Sequence, residues 1–366
     1  MAERKKPGSK PMAKSWAGKI GQPKLHAGVP VRMKDIARDM GLSTVTISKV
    51  LRGHSDISEE TSKRVLKRME ELNYQPNLAA RALITGRTST IGLVVPDLLH
   101  PFFAQVAKAL SAGIRGQGYS LIITSSEEDP ELERQEIDQL LARRVDVMLI
   151  ASAQWTVESL RHIEERKVPY VLIDRCFAGL AANFVGVDDE AVGMIATNHL
   201  IEQGCRKIAH IRGPETSTAL GRVAGYRRAL AARNLEPLPG HIVSIGTSGD
   251  DRGEPGGYEA TRKLLSAKQR PDGIFCFTDP IALGAMRAIL DAGLRIPEDI
   301  AVVGCGNVLY SDFLRVPLTS VDQDSSAIGR IAAEMALTLV SAKTPLRPRT
   351  ELVNPKLVVR ASSMRK

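Results

Sequence analysis

A short stretch near the amino terminus, residues 33–52, combines hydroxyl-bearing and cationic side chains at helical spacing. Its apolar residues Ile47, Val50 and Leu51 recur every three or four positions, so they share one face of a helix. Hydroxyl groups can reach base edges and phosphates, and cations counter phosphate charge, so the opposite face has the chemistry to enter the major groove of DNA. That face consists of Thr44, Val45, Ser48, Lys49 and Arg52.

Two further helices are predicted to hold this helix in place. The first covers residues 33–40, and Gly41 supplies the left-handed backbone that a tight corner between helices needs. Ser43 follows as the N-cap of the second helix, and Ser58 as the N-cap of a third. A small three-helix bundle with a solvated basic face is the alternative interpretation. The apolar stripe of the third helix consists of Val65, Leu66, Met69 and Leu72.

The positive charge of the chain is concentrated at its start. The net charge is +9, and residues 1–90 hold 18 Lys and Arg against 8 Asp and Glu, leaving 32 against 33 in the remainder. This excess coincides with the predicted helices and indicates a polyanionic partner. Residues 1–30 carry seven Lys or Arg and one Glu among repeated Gly and Pro, so we expect a disordered basic tail. Such a tail could add nonspecific phosphate contacts or simply be solvated.

From residue 90 the pattern changes to alternating strands and helices. A first series of buried strands is predicted at 91–95, 121–124, 147–151 and 170–173, and a second at 184–187, 207–211, 242–245, 273–277 and 301–303. Two such series imply two doubly wound parallel lobes with a cleft between them.

Ligands of such folds bind beside the carboxyl ends of the strands, and a set of polar and aromatic residues falls there. Each of them alone could instead form an interlobe ion pair or cap a loop, but as a set they favour a binding site. The candidates are Asp97, His100, Phe102, Phe103, Asp174, Arg175, Thr216, Thr218, Arg222, Asp279, Asn307 and Gln323.

Several of these motifs, in this order, resemble the LacI family of bacterial repressors. Residues 34–37, 41–43 and 46–51 resemble the N-terminal domain of that family, residues 73–83 its hinge segment, and residues 91–96 the first strand of its effector domain. The resemblance implies a small all-α helix-turn-helix domain and an α/β two-lobed, periplasmic-binding-protein-like domain. The implied boundaries are a tail at 1–30, the DNA-binding domain at 31–75, a hinge helix and linker at 76–89, and the effector domain at 90–366, with lobe 1 at about 90–188 and 320–345 and lobe 2 at about 189–319 and 346–366.

The resemblance also implies how DNA is held. Two chains form a homodimer on a near-palindromic operator, and the hinge helices of the pair enter the minor groove, where Leu83 wedges between base steps. An ordinary linker helix that packs Leu83 into its own domain is the alternative, and a tetramer is less expected than a dimer. The residues expected to contact DNA are Ser43, Thr44, Val45, Thr46, Ser48, Lys49 and Arg52 in the helix-turn-helix domain, and Asn77, Arg81 and Leu83 in the hinge.

For the effector, the resemblance implies a carbohydrate-like small molecule. The arginine that matches Arg222 forks onto the ligand in the family, and Asp174 and Asp279 match positions that accept hydrogen bonds from ligand hydroxyls. The chain departs from the family at Gly306, which replaces an aspartate that typically chelates sugar hydroxyls. Its loss, with Arg175 and Arg222 near the cleft, weakens the case for a neutral sugar and leaves room for a sugar acid or a phosphorylated sugar. The choice between inducer and corepressor stays open.

No catalytic signature is present in the sequence. It lacks G-x-S-x-G, H-E-x-x-H and G-x-x-x-x-G-K-[ST], the glycine-rich stretch 249–257 lacks the lysine of a phosphate loop, and the seven histidines show no metal spacing. We therefore expect no enzyme, cofactor or metal. A two-lobed binding module that serves a transporter would need a signal peptide, which we do not find. With four unpaired cysteines and no apolar run of membrane-spanning length, a cytoplasmic regulator is expected.

Overall fold

The computed structural model describes residues 31–51, 54–74, 82, 85–154, 157–245 and 253–365, and the chain divides between residues 84 and 85 into two compact units. The first unit contains the helices α1 (Met33–Met40), α2 (Thr44–Leu51) and α3 (Glu59–Glu71). Gly41 ends α1 in the left-handed conformation with φ 66°, as predicted. The predicted N-caps are confirmed, since Ser43 Oγ accepts the N–H of Thr46 at 3.0 Å and Ser58 Oγ accepts that of Thr61 at 3.2 Å.

The three helices enclose a small apolar core. The prediction that Leu51 and Leu66 belong to this core was wrong, because Leu51 is 37% exposed and Leu66 is 51% exposed. Leu51 is the last residue of α2, and Leu66 points about 100° away from its buried neighbour Val65 around the helix. The core consists of Ile36, Ala37, Ile47, Val50, Val65 and Met69.

The second unit begins with a lobe built on a six-stranded, all-parallel sheet. Its strands are β1 (Thr90–Val95), β2 (Ser120–Ser125), β3 (Val147–Ile150), β4 (Tyr170–Ile173), β5 (Asn183–Val187) and β11 (Thr350–Val353). Their order across the sheet is β11-β5-β4-β3-β1-β2. The helices of this lobe are α4 (Pro101–Arg115), α5 (Pro130–Ala142), α6 (Glu158–Glu165) and α11 (Ser325–Ser341).

The second lobe repeats this plan with one difference. Its strands are β6 (Ile208–Arg212), β7 (Ile242–Ser244), β8 (Gly273–Cys276), β9 (Ala301–Cys305), β10 (Thr319–Asp322) and β12 (Lys356–Val358). They lie in the order β12-β10-β9-β8-β6-β7. Because β12 is antiparallel to β10, this sheet differs from the wholly parallel sheet that the sequence predicts. The helices are α7 (Asp189–Glu202), α8 (Ser217–Ala231), α9 (Gly253–Leu265) and α10 (Asp279–Asp291).

The chain crosses between the lobes after β5, after β10 and after β11. The assignment of residues 184–187 to the second series was wrong, because β5 pairs with β4 and β11 in the first sheet. The second crossing follows Asp322 instead of lying near residue 320, and the third follows Val353 instead of residue 346. The short edge strand β11 is only half-buried, so its sequence lacks the run of apolar residues from which a buried strand is predicted.

Residues 85–89 belong to the second unit, although the sequence assigned them to the linker. The carboxylate of Asp146 accepts the backbone N–H of Thr88 at 3.0 Å and that of Ser89 at 2.9 Å. These bonds tie the segment to the loop before β3, so the second unit begins at Thr85.

Pairs of helices in the second unit pack through glycines. A Cβ on Gly225 of α8 would lie 2.0 Å from the carbonyl oxygen of Glu190 in α7, and one on Gly193 of α7 would lie 2.2 Å from that of Arg222. Such distances admit no side chain, so the two backbones approach as closely as glycine allows. The same contact recurs at Gly257 and Gly284 between α9 and α10, and at Gly329 between α11 and α4.

Membrane-spanning helices, disulfides and metal-binding groups would each indicate the class or the compartment of the protein. Within the described ranges no helix is both long and apolar enough to cross a bilayer. The four cysteines are free thiols, of which Cys176 is exposed and the other three are buried. In that same part of the chain no group of His, Cys, Asp and Glu side chains is placed to hold a metal ion.

Gly225→Ala should destabilise the second unit, although alanine is the better helix former. The added Cβ meets backbone atoms that cannot turn aside, so α7 and α8 must separate. We expect the free energy of unfolding to fall by about 1–3 kcal/mol in urea titrations followed by circular dichroism.

The matched control is Gly116→Ala at the end of α4, where the backbone is right-handed and a Cβ meets nothing within 4 Å. It should stay within about 0.5 kcal/mol of the parent protein. Equal stability of the two variants would contradict a close-packing role for Gly225.

Candidate nucleic-acid interface and ligand cavity

The α2 helix turns its small polar side chains towards solvent. Val45 is 60% exposed, and Ser43 and Thr44 are exposed beside it, while Thr46, Ser48 and Lys49 are partly exposed. The hydroxyl of Thr46 lies 2.9 Å from Ser43 Oγ, so these two side chains also hold the start of the helix. Four residues predicted to contact DNA lie outside the described residues, namely Arg52, Asn77, Arg81 and Leu83.

The cation of this surface is held beside a carboxylate. Lys49 Nζ forms an ion pair with Asp56, and its hydrogen bond lowers the pKa of Asp56. Both side chains are about one-third to one-half exposed, so water screens the pair and it opens easily. Lys49 can therefore exchange Asp56 for a base edge or a phosphate oxygen.

A cavity of about 600 Å³ lies between the lobes of the second unit, at the carboxyl ends of the strands. Its size is that of a small-molecule site. The first lobe contributes the loops after β1, β2, β3 and β4, and the second contributes the starts of α8, α9 and α10. The predicted residues that line it are Asp97, His100, Phe102, Phe103, Asp174, Arg175, Thr216, Arg222 and Gln323.

Three predicted residues, Thr218, Asp279 and Asn307, do not line the cavity. Asp279 is fully buried, and its carboxylate accepts the Ser320 hydroxyl at 2.7 Å and the Val308 N–H at 2.9 Å. It therefore organises the loop after β9 from beneath. Thr218 is buried within α8, and Asn307 hydrogen-bonds inside the second lobe. These residues support the wall instead of forming its surface.

Other lining residues were missed or not singled out from the sequence. Glu127 and Glu128 lie just after β2, and Ile245 and Phe277 directly follow β7 and β8, so the rule of strand ends could have found them. Thr278 also lies at the end of β8, but its neighbour Asp279 was preferred. Glu254 lies in the first turn of α9, within the glycine-rich stretch that lacks a phosphate-loop signature. For Gln154 and Tyr310, which also line the cavity, the sequence carried no such signal.

Arg222 is held by two hydrogen bonds and by contact with an aromatic ring. Its Nε donates to Asp189 at 2.9 Å, and its Nη1 donates to the carbonyl oxygen of Phe277 at 2.5 Å. The guanidinium also lies 4.5 Å from the centre of the Phe277 ring. Burial raises the pKa of Asp189 to about 7, although the charge of Arg222 opposes the rise. The arginine is thus fixed before any ligand arrives, with only part of its donor fork still to offer.

Arg175 is fixed in the same way from the first lobe. Its two terminal nitrogens donate to Glu128 at 2.6 and 2.8 Å, and one of them also donates to the carbonyl oxygen of Ser152 at 3.0 Å. Its neighbour Asp174 has a left-handed backbone, φ 64°. Burial raises the pKa of Asp174, while Arg175 and Arg222 oppose the rise. Two arginines and several carboxylates therefore share one enclosed space.

Some buried polar atoms of the cavity have no hydrogen-bond partner. Of the seven such atoms among the described side chains, three belong to residues of this lining, namely His100 Nδ1, Arg175 Nε and Gln323 Nε2. Burial also lowers the pKa of His100 to about 4, so its imidazole is neutral at neutral pH. Buried polar atoms in proteins are rarely left unpaired, so these three are candidates for hydrogen bonds to a ligand or to water.

Counted over the residues that the structure describes, the lining carries more acidic than basic side chains. Both arginines, Arg175 and Arg222, are already paired with carboxylates. The carboxylates of the lining are Asp97, Glu127, Glu128, Asp174 and Glu254.

Comparison with known proteins places both units. Residues 32–77 match the family described as bacterial regulatory proteins, lacI family, and residues 197–363 match the periplasmic binding protein-like domain. The HTH-type transcriptional repressor PurR of Actinobacillus pleuropneumoniae serotype 3 (strain JL03) is 33% identical over 332 residues, which cover 90% of this chain and 97% of that protein. The PurR repressor of Haemophilus influenzae (strain PittEE) is 32% identical over 336 residues, with 90% and 98% coverage.

Two solved structures match more than nine-tenths of the chain. The Lac repressor dimer bound to operator and the anti-inducer ONPF has a TM-score of 0.80 at 26% identity, covering 92% of this chain and all of that one. The complex of the transcriptional regulator CelR with cellobiose has a TM-score of 0.69 at 28% identity, covering 91% and 99%.

Arg222→Ala should destabilise the second unit and not merely empty the cavity. It leaves Asp189 buried without its partner, and breaking a buried ion pair costs about 3–5 kcal/mol. Without Arg222 the pKa of Asp189, already raised by burial, rises further. The carboxyl is neutral below that pKa, so the loss of stability should be smaller at pH 5 than at pH 8.

Urea unfolding at both pH values measures this loss. The control is Arg228→Ala on the same helix, whose ion pair with Glu190 is exposed and whose removal should change little at either pH. A loss for Arg222→Ala that does not depend on pH would contradict the role given to Asp189.

Proposed function

The chain belongs to the LacI family of bacterial regulatory proteins, and from that premise we propose how its two units work together. Like its relatives, it is a DNA-binding transcriptional repressor and not an enzyme. In our proposal it binds a near-palindromic operator as a homodimer, and a small molecule in the interlobe cavity controls its affinity for DNA. The observation that carries the proposal is a solvent-facing recognition helix followed in one chain by a two-lobed unit with a preformed cavity.

The exposed face of α2 supports the DNA-binding part of the proposal. In the proposed complex Val45 contacts a thymine methyl group, and Thr44 and Lys49 hydrogen-bond base edges, which their exposure permits. Ser43 and Ser48 hold phosphate oxygens at the margins of the groove in the same proposal. Arg52, Asn77, Arg81 and Leu83 keep the roles that the family resemblance assigns to them, as part of this proposal.

Apolar surface on both lobes supports a homodimer. A groove of about 360 Å³ runs between α4 and the edge strand β2, where Leu98 is 50% and Ile123 is 39% exposed. On the second lobe Leu309 and Phe313 are 81% and 87% exposed. An unpaired strand edge beside exposed apolar side chains is typical of a protein–protein interface. We propose that a second copy of this chain buries it. The structurally similar Lac repressor is a dimer on its operator.

The charge of the cavity favours a neutral effector that donates hydrogen bonds. Among the described residues, five carboxylate side chains line the cavity and both lining arginines already have acidic partners, so an anion would meet net repulsion there. Sugar hydroxyls would donate to carboxylates such as Asp174 while accepting from Arg222. We therefore propose a neutral carbohydrate over a sugar acid or a phosphorylated sugar. The structurally similar CelR was solved with cellobiose.

The crossings between the lobes offer a route from effector to DNA. Gln323 lies on the second crossing and in the cavity lining, and its Nε2 has no partner. A ligand bound to Gln323 would fix the angle between the two lobes. That angle sets how the two chains of the dimer pack, and so how far apart their linkers to the DNA-binding units lie. Since its target is chromosomal DNA of a bacterium, we propose that the repressor acts in the cytoplasm.

Val45→Ala should weaken binding to the operator without weakening binding to random DNA. Loss of one apolar base contact should cost about 1–3 kcal/mol for the specific site only. Operator fragments selected from random duplexes, titrated by fluorescence anisotropy, provide the measurement. The control is Leu66→Ala, an apolar residue of α3 that is 51% exposed and outside the proposed interface.

The same assay tests the dimer. A duplex with one half-site should bind much more weakly than the full palindrome, because a dimer engages both halves at once. Equal affinity for half and full sites would contradict the homodimer, and equal losses of Val45→Ala on operator and random DNA would remove Val45 from base recognition.

Neutral sugars should stabilise the protein, and their acidic derivatives should not. At about 100 times its Kd, a bound sugar should raise the melting temperature by roughly 5 °C. Glucose, ribose and cellobiose are to be compared with gluconate and glucose 6-phosphate by thermal shift. Asp174→Asn should lower the affinity for any stabilising sugar by about tenfold or more, because a charged hydrogen-bond acceptor is lost.

The control is Asp299→Asn, a carboxylate paired with Arg295 outside the cavity, which should bind as the parent does. Stabilisation by gluconate or glucose 6-phosphate alone would overturn the neutral effector.

A further inference from the structure

The amino-terminal edge of the first sheet collects positive charge. All six of its strands are parallel, so the segments that precede them meet at one edge. In the segments 85–89, 115–119, 143–146, 166–169 and 342–349 there is a single acidic residue, Asp146. The basic residues there are all at least partly exposed, and they are Arg87, Arg115, Arg143, Arg144, Arg166, Lys167, Lys343, Arg347 and Arg349.

Most of this charge is uncompensated. The carboxylate of Asp146 already accepts the N–H groups of Thr88 and Ser89, and Arg349 is paired with Glu351. In the described ranges of the chain, Arg144 and Arg166 form no ion pair. Exposed cations crowded together repel one another, so the edge gains stability when a polyanion covers it.

Four of these cations line one concavity. A pocket of about 650 Å³ opens at this edge and is lined by Arg87, Arg144, Arg166 and Lys167. Its apolar floor includes Val145 and Val340, and the carbonyl oxygen of Val340 holds the Arg87 guanidinium at 2.8 Å. Asp146 also lines the pocket, so its described lining carries four cations against one carboxylate, and that carboxylate already accepts two backbone N–H groups.

The linker from the DNA-binding unit enters the second unit at this same edge. Ten residues separate Tyr74 from Thr85, and Gly86 and Arg87 already line the pocket. A chain of that length spans at most roughly 40 Å, which is about one turn of duplex. DNA held by the first unit therefore stays within reach of the basic edge.

We propose that this edge is a second DNA-contacting surface, which binds the sugar-phosphate backbone beside the operator without reading its sequence. Phosphate contacts of this kind contribute affinity and salt dependence but no base specificity. The inference rests on the DNA binding of the family and adds a contact from the effector unit itself.

The test compares duplex lengths. Arg144→Gln/Arg166→Gln removes two of the pocket cations, and Arg228→Gln/Arg233→Gln removes two exposed arginines of the second lobe as the control. Binding to random-sequence duplexes of 16 and 40 base pairs is measured by anisotropy at 0.05–0.3 M salt. The longer duplex offers backbone beyond the stretch that the first unit covers, so a contact at the basic edge should contribute more to its binding.

The first double variant should bind the 40-base-pair duplex about tenfold more weakly at 0.1 M salt, with a salt slope shallower by about 1.8. Its binding to the short duplex should weaken less, and the binding of the control to both duplexes should be unchanged. Failure of the parent protein to bind either duplex would count against DNA binding as a whole, not against this surface alone.

Unchanged binding of the variant to the long duplex would overturn the proposal. A free anion is the competing occupant, and inorganic phosphate is the probe for it. If phosphate raised the melting temperature of the parent but not of the variant, while binding to the long duplex stayed equal, the pocket would be a small-anion site and the proposal would be wrong.

Discussion

The structure of the interlobe cavity depends on the pairing of two buried arginine side chains. A buried charge is tolerated only when it is paired and hydrogen-bonded, and Arg175 and Arg222 each obtain a carboxylate and a backbone carbonyl oxygen. The partners come from separate elements, Glu128 from the loop after β2 and Asp189 from the start of α7. Correct placement of those elements is therefore required before the cavity exists. The same pairing removes the attraction that the arginines would exert on an anion.

The first sheet separates charge between its two edges. Acidic side chains follow its strands at the carboxyl edge, where Asp97, Glu127 and Glu128 lie, whereas arginines and lysines precede its strands at the amino edge. A parallel sheet makes this separation possible because all loops of one kind end on one side. A hydroxyl-rich ligand and a polyanion thus suit opposite ends of one lobe, and neither competes with the other for its surface.

Rigid lobes joined by three crossings concentrate motion at the crossings. Where α7 meets α8, and α9 meets α10, glycines bring the backbones so close that the helices cannot slide without clashing. A ligand that touches both lobes therefore acts chiefly on the connecting segments. Gln323 occupies one of these segments, and Asp324 beside it caps α11 from a left-handed backbone with φ 45°. The start of α11, which packs on α4, is in this way tied to the floor of the cleft.

Local sequence pattern was enough to identify the family and to predict the three helices of the first unit and most strands of the second. These features depend on neighbouring residues, such as Gly41 at a helix corner or the run of apolar side chains in β3. The rule that ligands bind at strand ends also found nine of the twelve proposed cavity residues, since it needs only the order of strands. It could not tell which of two neighbours faces the cavity, and so Asp279 was chosen where Thr278 lines the wall.

Tertiary structure alone decided the remainder, because it depends on residues far apart in the chain. Asp189 lies 33 residues from Arg222, and Glu128 lies 47 from Arg175, so no local pattern announces that the arginines are already paired. The place of β11 in the first sheet follows from its hydrogen bonds to β5, not from its own half-exposed residues. Spacing along a chain fixes which face of an element is apolar, whereas the partner that neutralises a buried charge is fixed only when the elements pack.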